Sequence, residues 1–298
     1  MIIKRQTGTQ IHVPVLPTEV LDYLNISTDG VYLDGTVGLG GHAALILNQL
    51  SPKGHFIGID RDEEALSYCK NLLVGYPTPV SLFHSSYHTF KPILDELGID
   101  TVNGILLDLG LSSLQLDSPE RGFSYTVDAD LDMRFDSSQE IKASDIINHL
   151  PVMDLADVIY EYGEERRSRL IARNIEKMRP LRTVFNLIEA IRKSTPPSHR
   201  DRSMARVFQA LRIKVNGELD KLDSFLNSFI DRLSVGGRIA IISFHSLEDR
   251  IVKHRFKDLA KSGDISILTK KPILASAEEQ KENRRSRSAK LRIAERIV

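Results

Sequence analysis

Apolar residues in the first third of the chain fall in short continuous runs, and between the runs they recur every three or four positions. The runs are Val31–Asp34, His55–Asp60, Val80–His84 and Gly104–Leu109. Continuous runs suit strands covered on both faces, and the spacing between them suits helices. The pattern therefore predicts repeated β-α-β units and a parallel, doubly wound, Rossmann-like α/β sheet. Ahead of them, an extended segment from His12 leads to a short helix starting near Pro17, placed to cover the mouth of a crevice. His12 beside two prolines reads as a structural residue or a functional one.

After Asp108 the alternation stops. A polar stretch through Asp136 precedes a helical block from about Ser144 to Lys193, which Pro196-Pro197 closes. Residues 117–203 are thus expected to form an inserted, mainly helical domain between two parts of the sheet domain, 1–116 and 204–298. In the second part, Val207, Leu211, Val215, Leu219, Leu222, Leu226, Phe229 and Leu233 predict one long amphipathic helix ended by Gly236-Gly237. A buried strand Arg238–Ser243, another helix, and a closing edge strand within 289–297 complete the expectation.

In a doubly wound sheet, ligands lie beyond the carboxyl ends of the strands. Here those ends carry Asp34, Asp60, the turn His84-Ser85-Ser86-Tyr87, and Asp108. The first strand also leads into Gly35-Thr36-Val37-Gly38-Leu39-Gly40-Gly41-His42, a glycine turn that lets a ligand lie against the backbone at the start of a helix. Asp60, at the tip of the second strand, is placed for the two hydroxyls of a ribose. Dinucleotides and S-adenosylmethionine both use such crevices. The glycine spacing departs from G-x-G-x-x-G, and several carboxylates suit a sulfonium and an ammonium better than a pyrophosphate, which favours the methyl donor.

Composition narrows the picture further. The 298 residues carry 40 basic and 40 acidic side chains, so binding to nucleic acid through bulk charge is not expected. Local segregation is strong, with Arg166, Arg167, Arg169, Arg173, Lys177, Arg179 and Arg182 in one stretch. Arg200, Arg202, Arg206, Arg212 and Lys214 follow, and Arg284, Arg285, Arg287, Lys290 and Arg292 lie in the tail. Such runs suit solvated helix faces or a phosphate-binding surface. No apolar run approaches the roughly 18 residues of a membrane span, and the start lacks a secretory core, so a cytoplasmic protein is expected. Cys69 is the single cysteine, expected to be a packed thiol, and no metal-ligand pattern appears.

Several longer motifs carry a resemblance. Asp34-Gly35-Thr36-x-Gly38-x-Gly40-Gly41-His42, Leu106 to Asp117, Arg121-Gly122-Phe123-Ser124, Leu131-Asp132-Met133-Arg134, Tyr162 to Arg166, Phe208 to Ile213, Ile242 to Arg250 and Leu291 to Glu295 resemble the bacterial ribosomal RNA small-subunit methyltransferase H family. The resemblance implies transfer of a methyl group from S-adenosylmethionine to N4 of a cytidine in the decoding centre of 16S ribosomal RNA within the small subunit, and leaves a homodimer open. It places the cofactor contacts on Gly40, Gly41, His42, Asp60, Tyr87, Asp108 and Gln115, with Tyr87 where relatives often have phenylalanine. Asp34 joins them from the residue reading. For the chemistry, Asp108, Ser112, Ser113 and His245 are the candidates, with Phe244 and Ser246 beside them. The reading preferred for Asp108 is that it only holds the cofactor, while Ser112 and Ser113 can merely cap a helix and His245 can be a buried, hydrogen-bonded residue.

Overall fold

The strand-like runs do form one sheet. In the computed structural model, which describes residues 13–298, seven strands lie in the order β3-β2-β1-β4-β5-β7-β6. They are β1 (Val31–Asp34), β2 (His55–Asp60), β3 (Val80–His84), β4 (Val102–Asp108), β5 (Leu233–Ser243), β6 (Ile265–Ile267) and β7 (Lys290–Arg296). β1 to β5 pair in parallel, whereas β7 runs antiparallel to both β5 and β6. β1 is flanked by β2 and β4, so the chain order reverses there, and a crevice opens at that switch point.

The sheet is covered on both faces because its strands alternate two apolar sets. Leu106, Ala240 and Ile242 join one core with residues of α1 (Pro17–Leu24), α2 (Gly41–Leu47) and α3 (Glu63–Leu72). Ile105, Leu107, Ile239 and Ile241 join the other, with Phe90 and Leu94 of α4 (Phe90–Glu96) and with Phe225 and Phe256. Each buried phenylalanine here contributes about 2–3 kcal/mol by removal from water.

The chain divides into two compact units, one running up to Gly110 and resuming at Leu222–Val298, the other Leu111–Lys221. The second holds α5 (Ser113–Asp117), α6 (Ala143–His149), α7 (Val152–Gly163), α8 (Ser168–Met178), α9 (Val184–Ser194) and α10 (Arg200–Asn216), with the boundary falling inside α11 (Glu218–Leu226). Its core takes Leu155 and Ile159 of α7, Ile171 and Ile175 of α8, Leu187 and Ile191 of α9, and Val207 and Leu211 of α10. The polar stretch ahead of α6 is held by arginines. Arg121 Nη2 donates to the carbonyls of Arg134 and Phe135, both at 3.0 Å, and Arg134 grips Asp132 through Nε and Nη2, both at 2.7 Å. Two of the long motifs are thereby accounted for as structural.

Four expectations are corrected. The helical unit spans 111–221 rather than 117–203, because α10 packs its apolar face into that unit's core instead of returning to the sheet. The long helix expected through Leu233 is two helices, α10 and α11, separated at Gly217, whose φ is +60°. Gly236-Gly237 lies within β5, where the register against β4 shifts between Val102 and Gly104. The last strand is not the edge, since the three-residue β6 lies outside it. Past the sheet, α12 (Ser246–Ser262) and α13 (Ala277–Glu282) complete the helices, and among the described residues no helix is long and apolar enough to cross a membrane.

Candidate functional site

The strand ends bring three of the expected acids together through the glycine turn. Asp34 is fully buried, and its Oδ1 accepts from the Thr36 backbone N–H at 3.0 Å and lies 3.4 Å from the Thr36 hydroxyl. Thr36 Oγ1 in turn accepts the Asp108 N–H at 2.6 Å, tying β1 to β4. Asp60 Oδ2 accepts from Gly38 N–H at 2.7 Å, and its Oδ1 from Asp62 N–H at 2.9 Å. Gly40 then turns the chain into α2 at φ +87°, with the space a Cβ would need already taken by Cys69 Sγ at 3.0 Å. The Cys69 thiol is buried and pushed up to about 12 by burial, so it is packing and not a nucleophile.

Burial is also the main influence on the acids. It raises Asp34 to about 7, Asp60 to about 6 and Asp108 to about 8, with neighbouring carboxylates adding to each rise. The Arg285 guanidinium opposes the rise at Asp108. Among the described residues, Asp108 Oδ1 is buried with no hydrogen-bond partner. An orphaned carboxylate oxygen inside a protein costs free energy until a donor or cation reaches it. His42, buried in the first turn of α2, donates from Nε2 to the Val15 carbonyl at 2.9 Å, and its Nδ1 lies 3.8 Å from Asp108 Oδ2. Tyr87 follows β3 and meets Phe225 edge-on at 5.7 Å between ring centres.

Other expected residues are placed differently. Ser112 caps α5, accepting from Gln115 N–H at 3.2 Å, while Gln115 Oε1 accepts from Ser112 N–H at 3.1 Å. Both belong to the helical unit. The side chain of Ser113 and the whole of His12 lie outside the described residues. His245 caps α12, with Nδ1 accepting from Glu248 N–H at 3.3 Å. Its Nε2 lies 3.2 Å from Glu248 Oε1 at an angle that makes no hydrogen bond. Glu248 Oε2 accepts from the N–H groups of Phe244 at 2.9 Å and His245 at 3.3 Å, which fixes the turn after β5. Thr36 was not singled out by the sequence. Its signal was the Asp-x-Thr spacing, which lets the acid accept from the backbone two residues on.

Residues 9–297 match the MraW methylase family. The chain belongs to that family. Ribosomal RNA small subunit methyltransferase H of Kosmotoga olearia is 48% identical over 291 residues, covering 96% of this chain and 97% of that protein. The proteins of the same name from Thermosipho africanus and Acaryochloris marina are each 49% identical, covering 96% and 97% of this chain and 98% and 96% of theirs.

The cofactor of this methylase family is S-adenosylmethionine, and the residues at the strand ends fit it. Asp60 is fixed by the N–H groups of Gly38, Asp62 and Arg61 and keeps a lone pair for a ribose hydroxyl, and the charge of a cationic group favours the ionised form of the buried Asp108 carboxyl. A pH dependence follows. Below their raised values these acids are held neutral, while a ligand that brings positive charge and hydroxyl donors favours the ionised forms. Affinity for S-adenosylmethionine should rise several-fold from pH 5.5 to pH 7.5. Binding at pH 7 should release protons, measured by calorimetry in buffers of different ionisation enthalpy; a flat affinity with no proton release would contradict the raised values.

Proposed function

We infer that the chain is an S-adenosylmethionine-dependent methyltransferase that modifies N4 of a cytidine in 16S ribosomal RNA. Family membership supplies the reaction class, and the arrangement of Asp34, Asp60 and Asp108 around the glycine turn, with one buried oxygen unsatisfied, supports the cofactor crevice most directly. The decoding centre as the location of the cytidine, the assembled small subunit as the substrate, and a cytoplasmic setting belong to the same reading.

S-adenosylmethionine, when bound, supplies an electrophilic methyl group on a sulfonium. The cytosine amine is a weak nucleophile because its lone pair is delocalised into the ring. The chain must align that nitrogen and accept hydrogen bonds from its N–H groups as it pyramidalises. Asp108 Oδ1 is the acceptor we assign to this task. Once the positive charge of bound S-adenosylmethionine has favoured its ionised form, it can take the proton that the nitrogen loses as the methyl group passes from sulfur to nitrogen, and its raised proton affinity without ligand suits it to hold that proton. Thr36 holds the Asp108 backbone in place, and Glu248 holds Phe244 and His245 beside β4 at the neighbouring strand end.

For the helical unit, the exposed Arg166, Arg167, Arg169 and Arg173 are the RNA contacts we propose. Two other arginines of the unit, Arg179 and Arg212, are already engaged. Arg179 donates to the carbonyls of Ile147 and Leu150, and Arg212 forks onto Glu218 at 2.8 and 2.9 Å.

Radiolabelled methyl transfer to small ribosomal subunits lacking the modification, followed by mass spectrometry of the nucleosides, tests the reading. Label is expected in N4-methylcytidine of 16S RNA. Tight S-adenosylmethionine binding with no label on subunits or free 16S RNA would keep the cofactor site and remove the substrate.

A further inference from the structure

A second concave surface lies on the sheet unit, away from the glycine turn. A cleft of about 460 Å³ opens between α12 and β6, with Phe256, Ile265 and Ile267 on its floor and Lys253, Lys257 and Lys270 along its sides. Lys253 and Lys257 are four apart on α12 and so share a face. All three lysines are exposed, and among the described residues their ammonium groups enter no ion pair or hydrogen bond.

Acids on the same elements do not cancel this charge. Asp249 already takes Arg292 at 2.6 Å and Lys290 at 3.6 Å, Asp258 lies 3.8 Å from Lys261, and Glu295 takes Arg238 at 2.8 Å. In a chain of zero formal charge, three uncompensated cations therefore surround one apolar-floored cleft. An apolar floor of low dielectric focuses the field of the cations.

Topology sets the direction of the cleft. β6 is antiparallel to β7, which is antiparallel to β5, so β6 runs with the parallel strands. β6 ends at Ile267, level through Ala294 and Ile239 with Ile105 of β4, and Lys270 follows it toward the carboxyl-end face of the sheet, three strands across from β4. α12 begins at that same face, directly after β5. Lys253 and Lys257 lie progressively further from it, Lys253 being about 10 Å along the helix from Ser246 at ~1.5 Å per residue. The cations thus form a patch on the outer side of the sheet unit, below the carboxyl-end face on which Asp108 lies.

We propose that the α12–β6 cleft binds the phosphate backbone of the substrate RNA, outside the nucleotide that is methylated. The proposal rests on the RNA substrate inferred above. Lysine ammonium groups serve as point charges for phosphates, and the counterions that the RNA releases on binding them leave a salt signature.

The test compares K253E/K257E with K53E/K70E, two exposed lysines elsewhere on the sheet unit, so that both variants change the formal charge equally. Wild type and both variants are assayed for binding and methylation of unmodified small subunits at several salt concentrations, with S-adenosylmethionine affinity measured by calorimetry in parallel. The cleft variant is expected to lose at least tenfold in RNA affinity at low salt. Its plot of log affinity against log salt should become shallower by about one to two, roughly one for each phosphate no longer held, with cofactor affinity unchanged. K53E/K70E should stay within about threefold of wild type. Equal losses in the two variants, or none in the cleft variant, would overturn the proposal. If K253E/K257E loses cofactor binding as well, K253Q/K257Q decides, with a loss of about threefold expected in RNA affinity alone. Wild-type protein that methylates no RNA would instead remove the substrate reading.

Discussion

Asp108→Asn should separate chemistry from folding more cleanly than any other single change in this chain. Asparagine keeps the shape but removes the charge and the base. The loss of a negative charge and a base beside a developing positive centre is expected to lower kcat/KM for methyl transfer by about 100- to 1,000-fold, with about a tenfold loss in S-adenosylmethionine affinity. A larger effect on kcat than on cofactor binding is the mark of a group that touches the reacting amine. A kcat/KM within threefold of wild type would remove Asp108 from the chemistry.

The same variant should be more stable without ligand. Burial raises Asp108 from 3.8 to about 8, so the folded state holds a proton that the unfolded chain gives up above pH 4. Protons bound by the unfolded state are then fewer than those bound by the native state, and stability falls as pH rises from about 4 to about 8. Asparagine does not titrate. The Tm gap between Asp108→Asn and wild type is expected to be small at pH 4, to widen in favour of the variant up to about pH 8, and to shrink when wild type is saturated with S-adenosylmethionine. A gap that narrows as pH rises would contradict the assigned environment.

Much of this site was legible because parallel strands buried on both faces leave an unambiguous trace. Val31–Asp34, His55–Asp60 and Val80–His84 are strands with the bounds expected of them, and the acids at strand ends follow from that alone. What stayed hidden depended on contacts distant in sequence. The apolar steps from Val207 to Leu233 keep helical spacing across Gly217, and only the packing of α10 with α6, α7 and α9 shows which residues belong to the helical unit. β6 has three residues, too few to carry a period, so the true sheet edge could not be seen. Gln115 entered through family resemblance. Its visible local role is the reciprocal cap with Ser112, a Ser-x-x-Gln pattern that also marks an ordinary helix start.

Gly122→Ala is expected to damage the helical unit severely and leave the sheet unit's cofactor site largely intact. Gly122 sits at φ +69°, and an added Cβ would lie 2.3 Å from the Asp130 carbonyl oxygen and 3.1 Å from the Asp132 nitrogen. Both are backbone atoms, so no side chain can swing aside. They also belong to a tightly tied segment, in which Met133 N–H donates to the Arg121 carbonyl at 3.0 Å and Arg134 grips Asp132. Shifting Asp130 would strain its bridge to Thr183 at the start of α9. Left-handed strain in alanine costs about 1 kcal/mol, and moving a hydrogen-bonded backbone segment should bring the total to about 3 kcal/mol or more. Gly98→Ala isolates the first contribution, because Gly98 has φ +68° with nothing within 4 Å of the added Cβ, and it should cost only about 1 kcal/mol. Limited proteolysis of Gly122→Ala is expected to cut first within 111–221, with S-adenosylmethionine affinity within a few-fold of wild type. Equal stability of the two alanine variants would mean that the close approach of Gly122 to Asp130 is not a constraint on the fold.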